Sequence, residues 1–125
     1  MRRYLELEPD PAFAGVARRW ATDIVGGDGY RGVVEVMALL VSELVTNVVV
    51  HAGTVGRLAL DIDEHRLRVE VSDGNPEVPV IPDDAEPFAV RGRGLLLLRD
   101  LSDAYGFEPL AAGKVIWFEL RRPPG

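Results

Sequence analysis

The sequence contains no cysteine, a single lysine and only two histidines. Without thiols there is no disulfide, no thiolate zinc cluster and no cysteine nucleophile. His51 and His65 are too few for a histidine-built metal site. Thirteen of the 14 basic residues are arginine; Lys114 is the exception, and it is followed by Val115. The Lys-Ser/Thr step of a Walker loop is therefore missing, and P-loop nucleotide chemistry with it. Positive charge as a whole is in deficit, 14 basic residues against 20 acidic ones for a net charge of -6. No basic stripe offers the phosphate-neutralising footprint of a duplex-binding domain, so direct nucleic-acid binding is not expected. Long apolar runs are scarce too. Residues 33–41 and 48–50 are interrupted by Glu35, Ser42, Glu43, Thr46, Asn47 and His51, short of the roughly 20 residues a membrane span needs. Met1 leads into Arg2, Arg3 and a polar stretch without an apolar signal region, which sets the expectation of a cytoplasmic protein.

What is present is the composition of one ordinary globular domain: 125 residues, 47% hydrophobic and 27% charged. Residues 3–8 alternate Tyr4, Glu6 and Glu8 with Leu5 and Leu7, a short half-buried strand ended by Pro9 and Pro11. Asp10 before Pro11 reads as an N-cap and first helical proline. Phe13, Val16, Ala17, Trp20 and Ile24 then recur at helical spacing until Gly26 and Gly27. A second helix is predicted from about residues 30–33 to Ala52, with Gly53 as its terminator. Residues 55–63 and 66–73 read as strands joined by a tight turn, with Leu58, Leu60, Ile62 and Leu67, Val69, Val71 facing inward. Residues 75–92 form a loop that holds four of the nine prolines and the acids Glu77, Asp83, Asp84 and Glu86. Structureless connections of that length are usually functional or disordered. A helix from Gly94 through Leu101 and two strands, 105–110 and 115–121, complete the chain before a tail at 122–125. The sum is an α+β fold: a two-layer α/β sandwich whose mixed, mostly antiparallel sheet is covered on one face by about three helices.

The second helix carries an unusual polar stripe. At 100° per residue Ser42, Glu43, Thr46, Asn47 and His51 share one side, while Val41, Leu44, Val45, Val48 and Val49 share the other. A solvated stripe usually carries long charged side chains in pairs. This one has one carboxylate, one amide, two hydroxyls and an imidazole, groups that hydrogen-bond or coordinate a ligand laid over the helix: Asn a neutral oxygen for a hard cation, Glu a base one turn away. A histidine at a helix end is by itself more often structural than a ligand.

Two further features follow. Asp73 ends a strand and precedes Gly74-Asn75-Pro76, either a strand-ending turn or an acceptor for a ligand donor such as an exocyclic amine. Arg91-Gly92-Arg93-Gly94 runs into a helix at Leu95. Glycines there let a backbone approach a ligand, and the helix terminus favours an anion such as phosphate, with Arg91 and Arg93 adding charge-assisted contacts. A turn that merely starts the helix explains the same pattern. Apolar surface around Phe13 and Trp20, and around residues 95–98, could face partners, although most of it reads as core. Lys114 falls in the last hairpin, away from these features.

The order Glu-x-x-x-Asn-x-x-x-His-Ala, a strand ending in Asp-Gly, a loop, and Gly-Arg-Gly-Leu before a helix resembles the histidine-kinase-like (GHKL, Bergerat-fold) ATPase superfamily. More narrowly, it resembles its stand-alone bacterial anti-sigma factor and serine/threonine-protein kinase regulators, from the first strand through residues 113–117. The resemblance implies a single ATPase domain over 1–125, ATP and Mg²⁺ as cofactors, and the loop about 75–92 as a lid. Glu43 would activate the attacking hydroxyl or water, Asn47 would bind Mg²⁺, and Asp73 would accept from the adenine amino group. Gly92 and Gly94 would bring backbone to the phosphates, with His51, Gly74, Arg91, Arg93 and Leu95 completing the nucleotide site. It implies a sigma factor and an anti-anti-sigma factor as protein partners, phosphoryl transfer to a serine of the latter, and a homodimer as in relatives. The sequence departs from the superfamily pattern Asp-x-Gly-x-Gly, since Asp73 is followed by Gly74, Asn75, Pro76 and Glu77. A second reading follows: a non-enzymatic regulator that keeps the fold and a partner-binding face while binding nucleotide weakly or not at all.

Overall fold

The computed structural model describes residues 1–27, 29–75 and 93–123, with side chains for all of these except His51 and residues 93–95. The predicted lid beyond Asn75, together with Arg91 and Gly92, lies outside the described residues.

The described residues form five strands, β1 (Arg2–Leu7), β2 (Gly56–Ile62), β3 (Arg66–Asp73), β4 (Ala104–Leu110) and β5 (Gly113–Arg121), arranged in the order β1-β2-β3-β5-β4. The expected two-layer α/β sandwich is present, and the sheet pairs antiparallel at all four junctions. The helices are α1 (Phe13–Val25), α2 (Val34–Thr46) and α3 (Arg93–Leu101), with a 3₁₀ turn at Arg31–Val33 leading into α2. Strand alternation produces the sandwich: Leu58, Leu60 and Ile62 of β2, Leu67, Val69 and Val71 of β3, and Ile116, Phe118 and Leu120 of β5 are all buried on one face. Met37, Leu40, Val41, Leu44 and Val45 of α2 close over them. Residues 31–50 are long and apolar enough to cross a membrane by length and composition, so the interruptions noted in the sequence do not remove that signal. In this fold α2 is the central core helix.

Local chemistry explains most boundaries. The expected Asp10 N-cap and helical Pro11 fall short of the helix: α1 begins at Phe13 with Ala12 as its N-cap and no side-chain cap, and the Asp10 carboxylate instead holds the turn before it by accepting the Ala12 N–H at 2.9 Å. The buried side of α1 is Ala17, Ala21 and Val25, while Phe13, Trp20 and Ile24 pack on the core's margin and Val16 is exposed. The β2–β3 turn is held by Asp63 Oδ1, which accepts the N–H groups of His65 at 2.7 Å and Arg66 at 2.8 Å. Those bonds hold the Asp63 carboxyl below its ordinary value.

Past Thr46 the second helix changes period. Asn47–Ala52 is a π-helical turn, closed by a bond from the Gly53 N–H to the Val48 carbonyl at 3.1 Å, with Gly53 left-handed at φ 66°. Two causes are visible. The Thr46 hydroxyl donates to the Ser42 carbonyl at 2.6 Å, a back-bond that bends helices, and Val48, Val49 and Val50 crowd the α spacing. The glycine stop falls where expected; the change of period before it does not follow from the polar pattern.

Candidate functional site

Of the sequence-nominated residues, Asp73 and Gly74 lie where β3 ends, and the π turn that begins at Asn47 packs against the same strand. On the helix-covered face, cross-strand pairing sets Leu7, Gly56, Asp73, Lys114 and Pro109 in one row. Leu7 is fully buried, whereas the middle of the row is ionic: Lys114 Nζ meets Asp73 Oδ1 at 3.1 Å, with side chains 9% and 3% exposed. Nζ also donates to the Asn75 carbonyl at 3.0 Å, and the Asn75 N–H donates to Asp73 Oδ1 at 2.8 Å. The turn anticipated after Asp73 and a fixed, buried carboxylate are therefore both present.

Glycine makes this crowding feasible at two points. A Cβ on Gly113, where φ is +152°, would overlap the Asp73 carbonyl oxygen, so only glycine lets β5 begin this close to the end of β3. A Cβ on Gly56 would lie 2.5 Å from the Ser72 carbonyl oxygen and 2.9 Å from Val48 Cγ1. The space above Gly56 is thus filled by the π turn, whose Val48 packs onto β2. Just beyond that turn, Thr54 Oγ1 accepts the Gly74 N–H at 3.0 Å and ties the exit of the second helix to the Asp-Gly strand end.

Glu43 lies half-buried on α2 and Asn47 half-buried at the junction with the π turn. The Asn47 N–H is shared between the carbonyls of Glu43 and Leu44. The spacing that aligns Glu43 with Asn47 is α-helical, while that between Asn47 and His51 runs through the π turn. The first step of the stripe is therefore α-helical and the second π-helical, and the His51 side chain lies outside the described residues. Such π turns inside helices are frequent at functional sites. Arg93, Gly94 and Leu95 open α3, which packs against α2.

One expectation is overturned. Lys114, expected in the last hairpin away from the polar stripe and the Asp-Gly strand end, is instead the direct partner of Asp73. The signal was available in the alternation of the last strand, where Lys114 occupies the inward position of the series Lys114, Ile116, Phe118, Leu120. Placing it opposite Asp73 requires the β3–β5 register, which sequence spacing does not supply.

No group of three or more His, Asp or Glu side chains that could cage a metal occurs among the described residues. A divalent cation here would be held by a few protein oxygens, with phosphate and water completing its shell, the usual manner for Mg²⁺. Asn47 fits that donor requirement. Two open cavities of about 430 and 260 Å³, lined by Met1, Arg3, Tyr4, Trp20, Ile24 and by Met1, Ile62, Asp63, Glu64, Arg122, include none of the nominated residues. The second opens at the Ile62–Asp63 end of the sheet, opposite Asp73.

A search of curated proteins finds no match. A family model, described as the histidine kinase-like ATPase domain, matches residues 7–120, from the end of β1 nearly to the end of β5. The chain therefore belongs to the histidine kinase-like ATPase domain family, a membership that points to ATP as its ligand.

Proposed function

We propose that this chain is a cytoplasmic ATP-binding regulator of transcription: an anti-sigma factor that phosphorylates a serine of an anti-anti-sigma antagonist. The observation that carries the nucleotide assignment is Asp73, a carboxylate on the core face of β3, pinned by Lys114 and the Asn75 N–H at the strand end against which the π turn beginning at Asn47 packs. A fixed acceptor at the end of a strand suits an exocyclic amine, and the half-buried amide and carboxylate of Asn47 and Glu43 suit the phosphate end. Asn47 would hold Mg²⁺, which when bound supplies charge neutralisation of the phosphates. Glu43 orients the acceptor hydroxyl and takes its proton. Gly92, Gly94 and the start of α3 approach the phosphates, Arg91 and Arg93 neutralise them, and His51, Gly74 and Leu95 complete the walls. Positioning supplies most of what the protein contributes to phosphoryl transfer. No direct contact with nucleic acid or membrane belongs to this reading; the partners are proteins, with a second copy of the chain among them.

Calorimetric titration with ATP and Mg²⁺ tests it. Binding is expected, weakened by Asn47→Ala in a Mg²⁺-dependent way; Glu43→Ala is expected to retain binding and lose phosphotransfer. Absence of binding at millimolar nucleotide refutes the assignment and leaves the non-enzymatic regulator, which the turn-forming Asn75 bond to Asp73 also suits. Equal loss of binding in both variants refutes the roles given to Glu43 and Asn47.

A further inference from the structure

Lys114 is the only lysine among thirteen arginines, and it is buried on the core face across from Asp73. Buried ionic groups ordinarily use up their hydrogen-bonding capacity within the protein. This pair does not. An ammonium has three N–H donors and a carboxylate has two acceptor oxygens. Two of the Lys114 donors go to Asp73 Oδ1 and the Asn75 carbonyl, and Oδ1 also takes the Asn75 N–H. Among the described residues nothing else meets Nζ, and nothing meets Oδ2. A spare donor thus stands beside a spare acceptor, on the strand ends next to the π turn.

A ligand edge with an acceptor beside a donor satisfies both. Adenine carries this pattern twice, because its 6-amino group is flanked by ring nitrogens N1 and N7. We infer that Lys114 is a specificity-determining residue of the nucleotide site: Nζ donates to a ring nitrogen of adenine while Asp73 Oδ2 accepts from the adjacent amine. The inference rests on the ATP-binding reading above and adds a second base-reading group to it. Arginine could not substitute simply, since its planar fork is longer and would displace the Asn75 carbonyl contact.

The test compares dissociation constants for ATP, 1-deaza-ATP and 7-deaza-ATP, measured by calorimetry with Mg²⁺, on the parent protein and on Lys114→Met. In the parent, one deaza analogue is expected to bind about tenfold or more weakly than ATP, the usual worth of a hydrogen bond from a charged donor, and which one identifies the edge. In Lys114→Met, ATP and that analogue should converge. Parent affinities for both analogues within about twofold of ATP overturn the inference while leaving ATP binding intact, as does an unchanged preference in the variant. No binding of any nucleotide by the parent overturns the ATP reading and this inference together. Should Lys114→Met lose its circular-dichroism melt, the Asp73→Asn/Lys114→Met variant, which removes both charges and keeps a carbonyl acceptor, replaces it with the same readout.

Discussion

The two faces of this sheet carry their charges under opposite conditions. On the helix-covered face, among the described residues, stands one buried pair, Asp73 and Lys114. On the uncovered face Arg2, Arg57, Arg66 and Arg68 interlace with Glu6, Asp61, Glu70 and Glu119 at 2.7 to 3.3 Å, distances much like the buried 3.1 Å. Solvent is what differs. The open lattice keeps its charges partly hydrated and uses arginine stems and planes to cover aromatic rings: Arg68 lies 4.1 Å from the Trp117 centroid, and Arg2 and Arg57 lie 5.1 and 5.2 Å from that of Tyr4. The buried pair surrenders hydration of both ions inside a row that begins with Leu7, where apolar side chains would serve stability as well or better. In the function proposed above the pair serves ligand recognition, whereas the lattice needs no more than an uncovered sheet face to explain it.

The sharpest way to break this comparison is to remove one member of the buried pair. Lys114→Met leaves a buried carboxylate and Asp73→Leu a buried ammonium; each is expected to lose about 3 to 5 kcal/mol in urea denaturation, while the double variant regains most of that. Simple additivity of the two losses would show that the pair is not a desolvated unit, and the contrast between the faces would fail.

A smaller effect is expected from the glycine that permits the pair. Gly113→Ala drives a Cβ into the Asp73 carbonyl at a backbone angle that side chains rarely adopt, at a cost of about 1 to 3 kcal/mol. Gly106 is the control on the open face. There a Cβ would meet the Trp117 ring at 2.7 Å, and the ring is a side chain that can shift. Gly106→Ala should therefore cost less than Gly113→Ala in the same thermal melt; the reverse order would mean that the β3–β5 approach is not the tighter constraint.

The unequal legibility of the two faces has a physical basis. Alternation in residues 58–62 and 67–71 exposed the core face, and Gly53 marked the end of the second helix, because period and left-handed backbone are local properties. The ion pair was not legible. Asp73 and Lys114 are separated by 41 positions, and their meeting depends on β5 threading between β3 and β4, a choice of partner that no local pattern encodes. The π turn escaped for a related reason: polar residues at i and i+4 describe an ideal α-helix, and the Thr46 back-bond that helps alter the winding looks like any other hydroxyl in a stripe. Glu43, Asn47 and Asp73 could be nominated from chemistry alone. That Gly56 lets Val48 pack onto β2, and that Thr54 clamps Gly74, required the tertiary structure.

An intermediate effect belongs to that clamp. Thr54→Val keeps the shape and removes the acceptor for the Gly74 N–H, with an expected cost of about 1 kcal/mol and faster amide hydrogen exchange at Gly74. Unchanged exchange there would show that the helix exit and the Asp-Gly strand end are held together by something other than this bond.

The smallest effect is expected on the open lattice, and pH isolates it. Partial burial raises the Glu70 carboxyl, but its bonds to Arg68 at 2.8 Å and Arg2 at 3.0 Å outweigh that and leave it below the ordinary value of 4.5. A carboxyl depressed in the folded state binds protons less readily there than in the unfolded chain, so its stabilisation is complete above the ordinary value. It fades as pH falls through the lower folded one. Glu70→Gln should therefore cost under about 1 kcal/mol at pH 7, and the parent's advantage over the variant should shrink as the midpoint of urea unfolding is followed from pH 6 down to pH 3. Added salt at pH 7 should shrink it as well, since exposed pairs are screened. Salt should weaken the coupling between Asp73 and Lys114 less, because side chains only 3% and 9% exposed are screened less than the open pairs. If salt weakened the two pairs equally, Asp73 and Lys114 would have to be counted as part of the solvated lattice.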